Sequence, residues 1–227
     1  MAEDPSPPRI LVAIDGIDGS GKSIFAQRFS LALDADGVRT VLFHVDDFRR
    51  PIDWSRTDRA ALDLYYDDYY DLPVLDDCLR AFSGGQPSVD VRLIDLPSGV
   101  AQPARRIDFA GVGVAIVEGV FVRRLATVGA AATVIVIETT PAEARRRLLS
   151  RDIAKGRSQA EIAHRIAARY FPAQDRYRAF TDGQPAPAVS IDNETPSAAR
   201  LASLDQRRVP AVVRRALRRL FPDGTPP

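Results

Sequence analysis

The run Gly16-Ile17-Asp18-Gly19-Ser20-Gly21-Lys22-Ser23 sets glycines, a lysine and a hydroxyl residue at the spacing of a phosphate-binding Walker A loop. Glycines let the backbone curl so that successive N–H groups aim at phosphate oxygens, and the N-terminus of a following helix adds positive charge. In that arrangement Lys22 reaches the β- and γ-phosphates and Ser23 ligates magnesium, while Gly16, Asp18, Gly19, Ser20, Gly21 and Ile24 complete the cradle. Of the 31 basic residues only Lys22 and Lys155 are lysines, so basic positions here default to arginine and a lysine in this loop is an exception. The expected ligand is a nucleoside triphosphate, ATP, with Mg2+.

Two acidic sites follow apolar runs. His44-Val45-Asp46-Asp47-Phe48-Arg49 offers two carboxylates, either of which could accept the proton of an attacking hydroxyl or cap a turn. Val112–Val117 ends in Glu118-Gly119, the form of a carboxylate that holds magnesium directly or through water, with Asp46 a further candidate ligand. His44, two residues from Asp46 in an extended strand, reads as a hydrogen-bonded structural histidine. Trp54, Tyr65, Tyr66, Tyr69 and Tyr70 could stack on a flat substrate ring or pack a core. Arg151, Lys155 and Arg157, in a segment crowded with arginine, suit a lid that neutralises charge on a transferring phosphoryl group and excludes water. Arg145 and Arg146 read as a solvated helix face.

These residues need elements to hold them. Arg9–Ile14, Thr40–Val45, Val112–Val117, Thr133–Ile137 and Ala188–Ile191 are apolar runs of the kind buried parallel strands show. Phe25, Phe29 and Leu33 recur at helical spacing over residues 22–35, residues 52–82 and 141–181 have helical patterns, and residues 88–110 suggest a hairpin or irregular excursion. Residues 196–221 read as one helix, packed by Val213, Leu217 and Leu220. Strands alternating with helices imply an α/β fold with a mainly parallel sheet and ligands beyond the strand C-termini. Residues 1–8 and 222–227 read as disordered tails around one domain over residues 9–221, with a lid at about 142–180.

The net charge of +1 supplies no global field for nucleic acid or an anionic membrane. The single cysteine, Cys78, excludes an internal disulfide and a cysteine metal cluster, and two histidines leave little for zinc. The N-terminal stretch is acidic and proline-rich, unlike a secretory signal, and no apolar run approaches the ~18 residues of a membrane span, so the expected location is cytoplasmic.

GIDGSGKS, VDDFRRP, YYDDYYD, VEGVF, RDIAKGR and RYFPAQDRY, in that order over residues 9–193, resemble the uridine kinase branch of the phosphoribulokinase and uridine kinase superfamily. The resemblance implies a P-loop NTPase three-layer sandwich with helices on both sheet faces and an arginine-rich helical lid, and transfer of the γ-phosphoryl of ATP to a primary alcohol, most simply of a nucleoside. It assigns the base to Asp46, the E-G glutamate to Glu118 and the lid arginine to Arg151, and it puts Tyr66, Asp68, Tyr70 and Arg169 at the acceptor site. Arg49 stands where the family carries Tyr or His, and such a guanidinium suits a carboxylate or phosphate. A small-molecule alcohol is the expected partner; the resemblance permits a homo-oligomer and no residue demands one. No N-K-x-D guanine-reading motif occurs, which disfavours a GTP-dependent switch.

Overall fold

The computed structural model describes residues 9–54 and 59–222. The proposed tail at 1–8, and all of the proposed tail at 222–227 except Pro222, lie outside the described residues.

Strand β1 (Ile10–Asp15) is the centre of the sheet, because its residues are apolar on both faces and every one from Leu11 to Asp15 is buried. Leu11 and Ala13 face one layer, whereas Val12 and Ile14 face the other. It leads through the glycine-rich loop into α1 (Lys22–Asp34), which returns to β2 (Arg39–His44). The chain then turns at once into a short 3-10 helix, Val45–Phe48.

Helix α2 (Ala61–Asp63) runs on into a π-helical turn at Leu64–Asp68 and is followed by α3 (Leu72–Ser83), capped by the Asp71 carboxylate on the Val74 N–H with Pro73 in the first turn. The expected excursion is a two-stranded antiparallel hairpin, β3 (Ser88–Val91) with β4 (Arg105–Asp108). Then come β5 (Val112–Glu118), α4 (Ala126–Ala131) and β6 (Thr133–Glu138). The arginine-rich stretch divides into α5 (Pro141–Ala154), α6 (Gln159–Arg165), a π-helical turn at Ile166–Tyr170, and α7 (Phe171–Thr181). Leu148, Ile162 and Ile166 give α5 and α6 a small apolar cluster of their own.

Strand β7 (Val189–Asp192) joins the sheet, but residues 196–221 are not one helix. Arg200–Leu204 forms an eighth strand, β8, antiparallel to β7, and only Ala211–Leu220 is helical, as α8. Pro210 blocks helical hydrogen bonding upstream of α8, and β8 lies at the sheet edge, where only Leu201 is buried. A strand with one apolar anchor carries almost no periodicity to read.

The sheet order is β2-β5-β1-β6-β7-β8, with all pairs parallel except β7 with β8. Helices α1 and α8 cover one face and α3 and α4 the other, giving a three-layer α/β sandwich. Register aligns Ile14 of β1 and His44 of β2 with Glu118 of β5, so the three strands end together and the polar residues that follow share one edge. Among the described residues no helix is long and apolar enough to cross a membrane.

Candidate active site

The loop between β1 and α1 is held open by close backbone approaches. Gly19 has φ +83° and a Cβ there would lie 2.7 Å from the Ala144 carbonyl oxygen, while at Gly21, φ +98°, it would lie 2.6 Å from Asn193 Nδ2. Both positions exclude a side chain by conformation and by space. Lys22 Nζ folds back to donate to the Gly16 and Ile17 carbonyls at 2.9 and 2.8 Å, closing the loop on itself. Ser20 is fully buried and its Oγ has no hydrogen-bond partner among the described residues.

At the next strand end, Glu118 is buried and hydrogen-bonded to His44 Nδ1 at 2.5 Å and to the Ser23 hydroxyl. Burial alone would raise its pKa; the bonds from His44 and Ser23 and the charge of Lys22 outweigh that and hold it below the ordinary value. The Glu118 bond in turn raises His44. The structural role read for His44 stands, but not its geometry: the chain leaves the extended conformation at Val45, so its partner is Glu118 across the strand pair. Ser23 and Glu118 together present hard oxygen donors at the mouth of the loop. Among the described residues no group of three or more His, Cys, Asp or Glu forms a metal cage. Two oxygen ligands, with the rest from water and phosphate, fit the way magnesium is bound in nucleotide sites.

Asp46 follows in the 3-10 turn and lines the same cavity. Tyr70 donates to Asp46 Oδ1 at 3.3 Å, the Tyr70 and Tyr65 hydroxyls are 3.2 Å apart, and Tyr65 donates to Asp18 Oδ2 at 3.2 Å. Asp18 also accepts from Gln174 at 2.8 Å. Burial pushes both phenols well above the ordinary value and raises the Asp18 carboxyl. Two phenol hydrogens thus serve three contacts linking the phosphate loop to Asp46. Phe121, fully buried, packs its ring against Tyr65, Tyr66, Tyr70 and Tyr177. Its φ of +64° is a conformation that an aromatic residue adopts only when its surroundings impose it.

The lid arginines divide by neighbour. Arg151 lines the cavity and is held by the fully buried Asp152, which accepts from Arg151 Nε at 2.8 Å and from Arg157 at 2.9 Å. Lys155 is exposed at the end of α5, and neither it nor Arg157 reaches the cavity wall. Arg147, which the sequence did not single out, donates to the Gly19, Ser20, Asn193 and Glu194 carbonyls at 3.4, 3.3, 2.6 and 2.9 Å and to Glu143 at 2.7 Å. It bolts the lid helix to the phosphate loop and to the segment after β7. Its neighbours Arg145 and Arg146 gave no sign of this, since three consecutive arginines on a helix look alike until the facing carbonyls are known.

The cavity measures about 550 Å3, within the range of ligand pockets. Asp18, Gly19, Gly21, Lys22, Ser23, Asp46, Glu118 and Arg151 line its polar end, whereas Phe25, Arg28, Pro196, Ala199, Leu220 and Phe221, with Ile24, form a mostly apolar end suited to a flat ring. Gly16 and Ser20 sit behind the loop. Of the residues expected at the acceptor site, Asp46 and Glu118 line this wall, whereas Arg49, Tyr66, Asp68, Tyr70 and Arg169 fall outside it. Tyr66 is wedged between the guanidinium groups of Arg124 and Arg176, 4.0 and 4.2 Å from its ring centre, and Asp68 pairs with Arg59. Tyr70 reaches this wall only through its hydrogen bond to Asp46. Arg49 donates to the Asp46 carbonyl at 2.6 Å, and Arg169 stacks on Trp54.

No family profile matches the chain. One curated relative, a thymidylate kinase from Xanthomonas euvesicatoria pv. vesicatoria (strain 85-10), is 48% identical over 42 residues, 18% of this chain; the match spans about a fifth of that protein's length, 19%. Solved structures align over most of the chain. A protein described as a possible uridine kinase from Bacillus stearothermophilus has a TM-score of 0.58 at 19% identity, covering 81% of this chain and 86% of its own. One assigned as a fructose transport system kinase from Silicibacter sp. TM1040 has a TM-score of 0.62 at 21% identity, covering 84% and 92%. D-glycerate 3-kinase from Cryptococcus neoformans var. grubii serotype A has a TM-score of 0.57 at 13% identity, covering 82% and 85%. The chain has the P-loop kinase fold. Within that fold the cavity lies beyond the C-terminal ends of β1, β2 and β5, where open α/β sheets bind their ligands.

Proposed function

We propose that this chain is an ATP- and magnesium-dependent kinase that transfers the γ-phosphoryl group to the alcohol of a small molecule. The observation that carries the reading is the convergence of Lys22, Ser23, Glu118, Asp46 and Arg151 on one cavity. Each supplies one requirement of phosphoryl transfer, which is mainly a matter of position and charge.

The glycine loop and Lys22 hold the triphosphate. Ser23 and Glu118 would hold Mg2+, which when bound offsets negative charge on the phosphate oxygens. Asp46 accepts the proton of the acceptor hydroxyl as its oxygen approaches the γ-phosphorus; Tyr70 occupies Oδ1, leaving Oδ2 for that proton. Arg151, clamped by Asp152, meets charge as it builds on the transferring group. The apolar end around Phe25 and Phe221 receives the nucleotide base.

For the acceptor, the resemblance read from the sequence favours a nucleoside, and Arg49 with Arg169 favours an anionic alcohol. The test is ADP release from Mg-ATP over nucleosides, sugars, hydroxy acids and phosphorylated alcohols. Asp46→Asn should lower turnover by roughly 100-fold or more while ADP affinity stays near wild type. A variant with unaltered turnover would remove Asp46 from the mechanism, and no acceptor-dependent ADP release across the panel would sink the reading itself.

A further inference from the structure

Most arginines near the site have a carboxylate. Arg50 pairs with Asp71 at 2.8 Å, Arg165 with Glu161 at 2.6 Å, and Arg176 with Asp63 and Asp67 at 3.2 and 3.0 Å. Arg169 forms no ion pair among the described residues, and its Nε is buried without a hydrogen-bond partner. Burial lowers its pKa, and the charge of Arg165 lowers it further. Arg49 also forms no ion pair among the described residues; its pKa is raised because Asp46 and the Tyr69 phenol outweigh its own burial.

The two guanidinium groups are joined by one run of aromatic contacts. Arg169 lies 3.6 Å from the centre of the Trp54 ring, Trp54 packs on Tyr69 at 5.6 Å, and Tyr69 packs on Tyr70 at 4.9 Å. Tyr70 reaches Asp46, and Arg49 bridges to the Tyr70 backbone while its side chain engages Tyr69. A partly buried guanidinium without a counter-ion is unfavourable, and its forked donors match a carboxylate or phosphate. Neutral hydroxyls would leave the Arg169 charge without an anionic partner.

We propose that Arg49 and Arg169, over Trp54 and Tyr69, bind the carboxylate or phosphate of an anionic acceptor alcohol whose hydroxyl meets Asp46. The part concerning the hydroxyl rests on the kinase reading above. The acceptor oxygen then forms a bond to the γ-phosphorus as the bond from that phosphorus to the β–γ bridging oxygen breaks. ADP departs with that electron pair, and the hydroxyl proton passes to Asp46.

Trp54 is the only tryptophan in the chain, so its emission reports on this site directly. The experiment titrates the full chain, saturated with Mg-ADP, with D-glycerate, glycerol 3-phosphate and uridine while recording tryptophan fluorescence; steady-state rates with the same three alcohols and Mg-ATP follow. The expected result is a saturable change with at least one anionic alcohol and none with uridine. Arg169→Ala and Arg49→Ala should each raise the half-saturating concentration about tenfold or more, with KM rising and kcat changing less. Arg169→Lys, which keeps the charge and loses the fork, separates recognition from a folding defect and should weaken binding in the same sense. A response to the hydroxy acid alone assigns a carboxylate, and one to the phosphate ester alone assigns a phosphate. No response to either anion, a response to uridine alone, or an anion response unchanged in all three variants overturns the proposal. Turnover with uridine alone would overturn this site and leave the kinase reading standing. Anion binding with no turnover of any alcohol would do the reverse.

Discussion

Asp46 is held by the Tyr70 phenol, 24 residues downstream, and that dependence is testable. Tyr70→Phe removes the donor to Asp46 Oδ1 and keeps the ring that packs on Tyr69 and Phe121. A hydrogen bond to a charged acceptor is worth about 1.5–3 kcal/mol, so kcat should fall roughly 10- to 100-fold with little change in thermal midpoint; an unchanged kcat would make the contact incidental. At this scale the sequence was readable where chemistry dictates residue type. Lys22 and Ser23 at the start of α1, Asp46 just beyond β2 and Glu118 at the end of β5 are the residue types the proposed phosphoryl transfer requires, and they line one cavity. It was not readable where roles depend on what faces a side chain. Tyr66, which could stack on a substrate ring or pack a core, sits between two arginines, and Asp152, the anchor of Arg151, was not singled out in the sequence.

Helix α5 and the phosphate loop act as a joined pair. Gly19 has φ +83° and abuts the Ala144 carbonyl at 2.7 Å for a built Cβ, so Gly19→Ala must distort the loop or push α5 away. A cost on the order of 1–3 kcal/mol is expected, read as a lower melting temperature together with weakened ADP binding; a variant that binds ADP normally would show that the approach is not needed. Arg147→Ala strips a donor from four carbonyls. It should lower the melting temperature through about 1–3 kcal/mol of unmet hydrogen bonding, and calorimetry showing no loss would refute the bolt. Elements that repeat a strong period were legible: β1, β5 and β6 are short and uniformly apolar, and the loop after β1 is unmistakable. Strand β8 was not, since one buried residue, Leu201, gives no pattern and its partner β7 is what makes it a strand.

Over the whole molecule, charge is nearly balanced and the lasting electrostatic cost is local. Asp15, at the base of the phosphate loop, is buried, and that burial raises its carboxyl above 3.8 despite bonds from the Gly16 N–H at 2.8 Å and Tyr177 at 3.1 Å. A raised carboxyl binds its proton more tightly in the folded chain than in the unfolded one. Its contribution to stability is therefore greatest below about pH 3.8 and is lost as pH rises through the folded value. Asp15→Asn, which removes the titration and keeps an acceptor, should gain on wild type in melting temperature between pH 4 and pH 7. A difference that does not vary with pH would contradict the burial argument. The layered architecture was legible from alternation of strand and helix, but the assignment of α8 to mere packing was incomplete, because a wall contributed from some two hundred residues away leaves no local trace.

That wall couples the last helix to occupancy of the first loop. Phe221 stacks on Phe25 at 6.4 Å, Leu220 and Phe221 line the apolar end of the cavity, and Arg215 and Arg219 tie α8 to Asp36 at 3.2 and 2.6 Å. A nucleotide filling that end, as proposed, would touch α1 and the end of α8 at once, so each opening of α8 would have to surrender ligand contacts. Saturating Mg-ADP should therefore slow amide hydrogen exchange across Ala211–Leu220 beyond any change at the β3–β4 hairpin. Equal slowing in the two segments would mean that the ligand stabilises the molecule uniformly and that α8 has no private share in it.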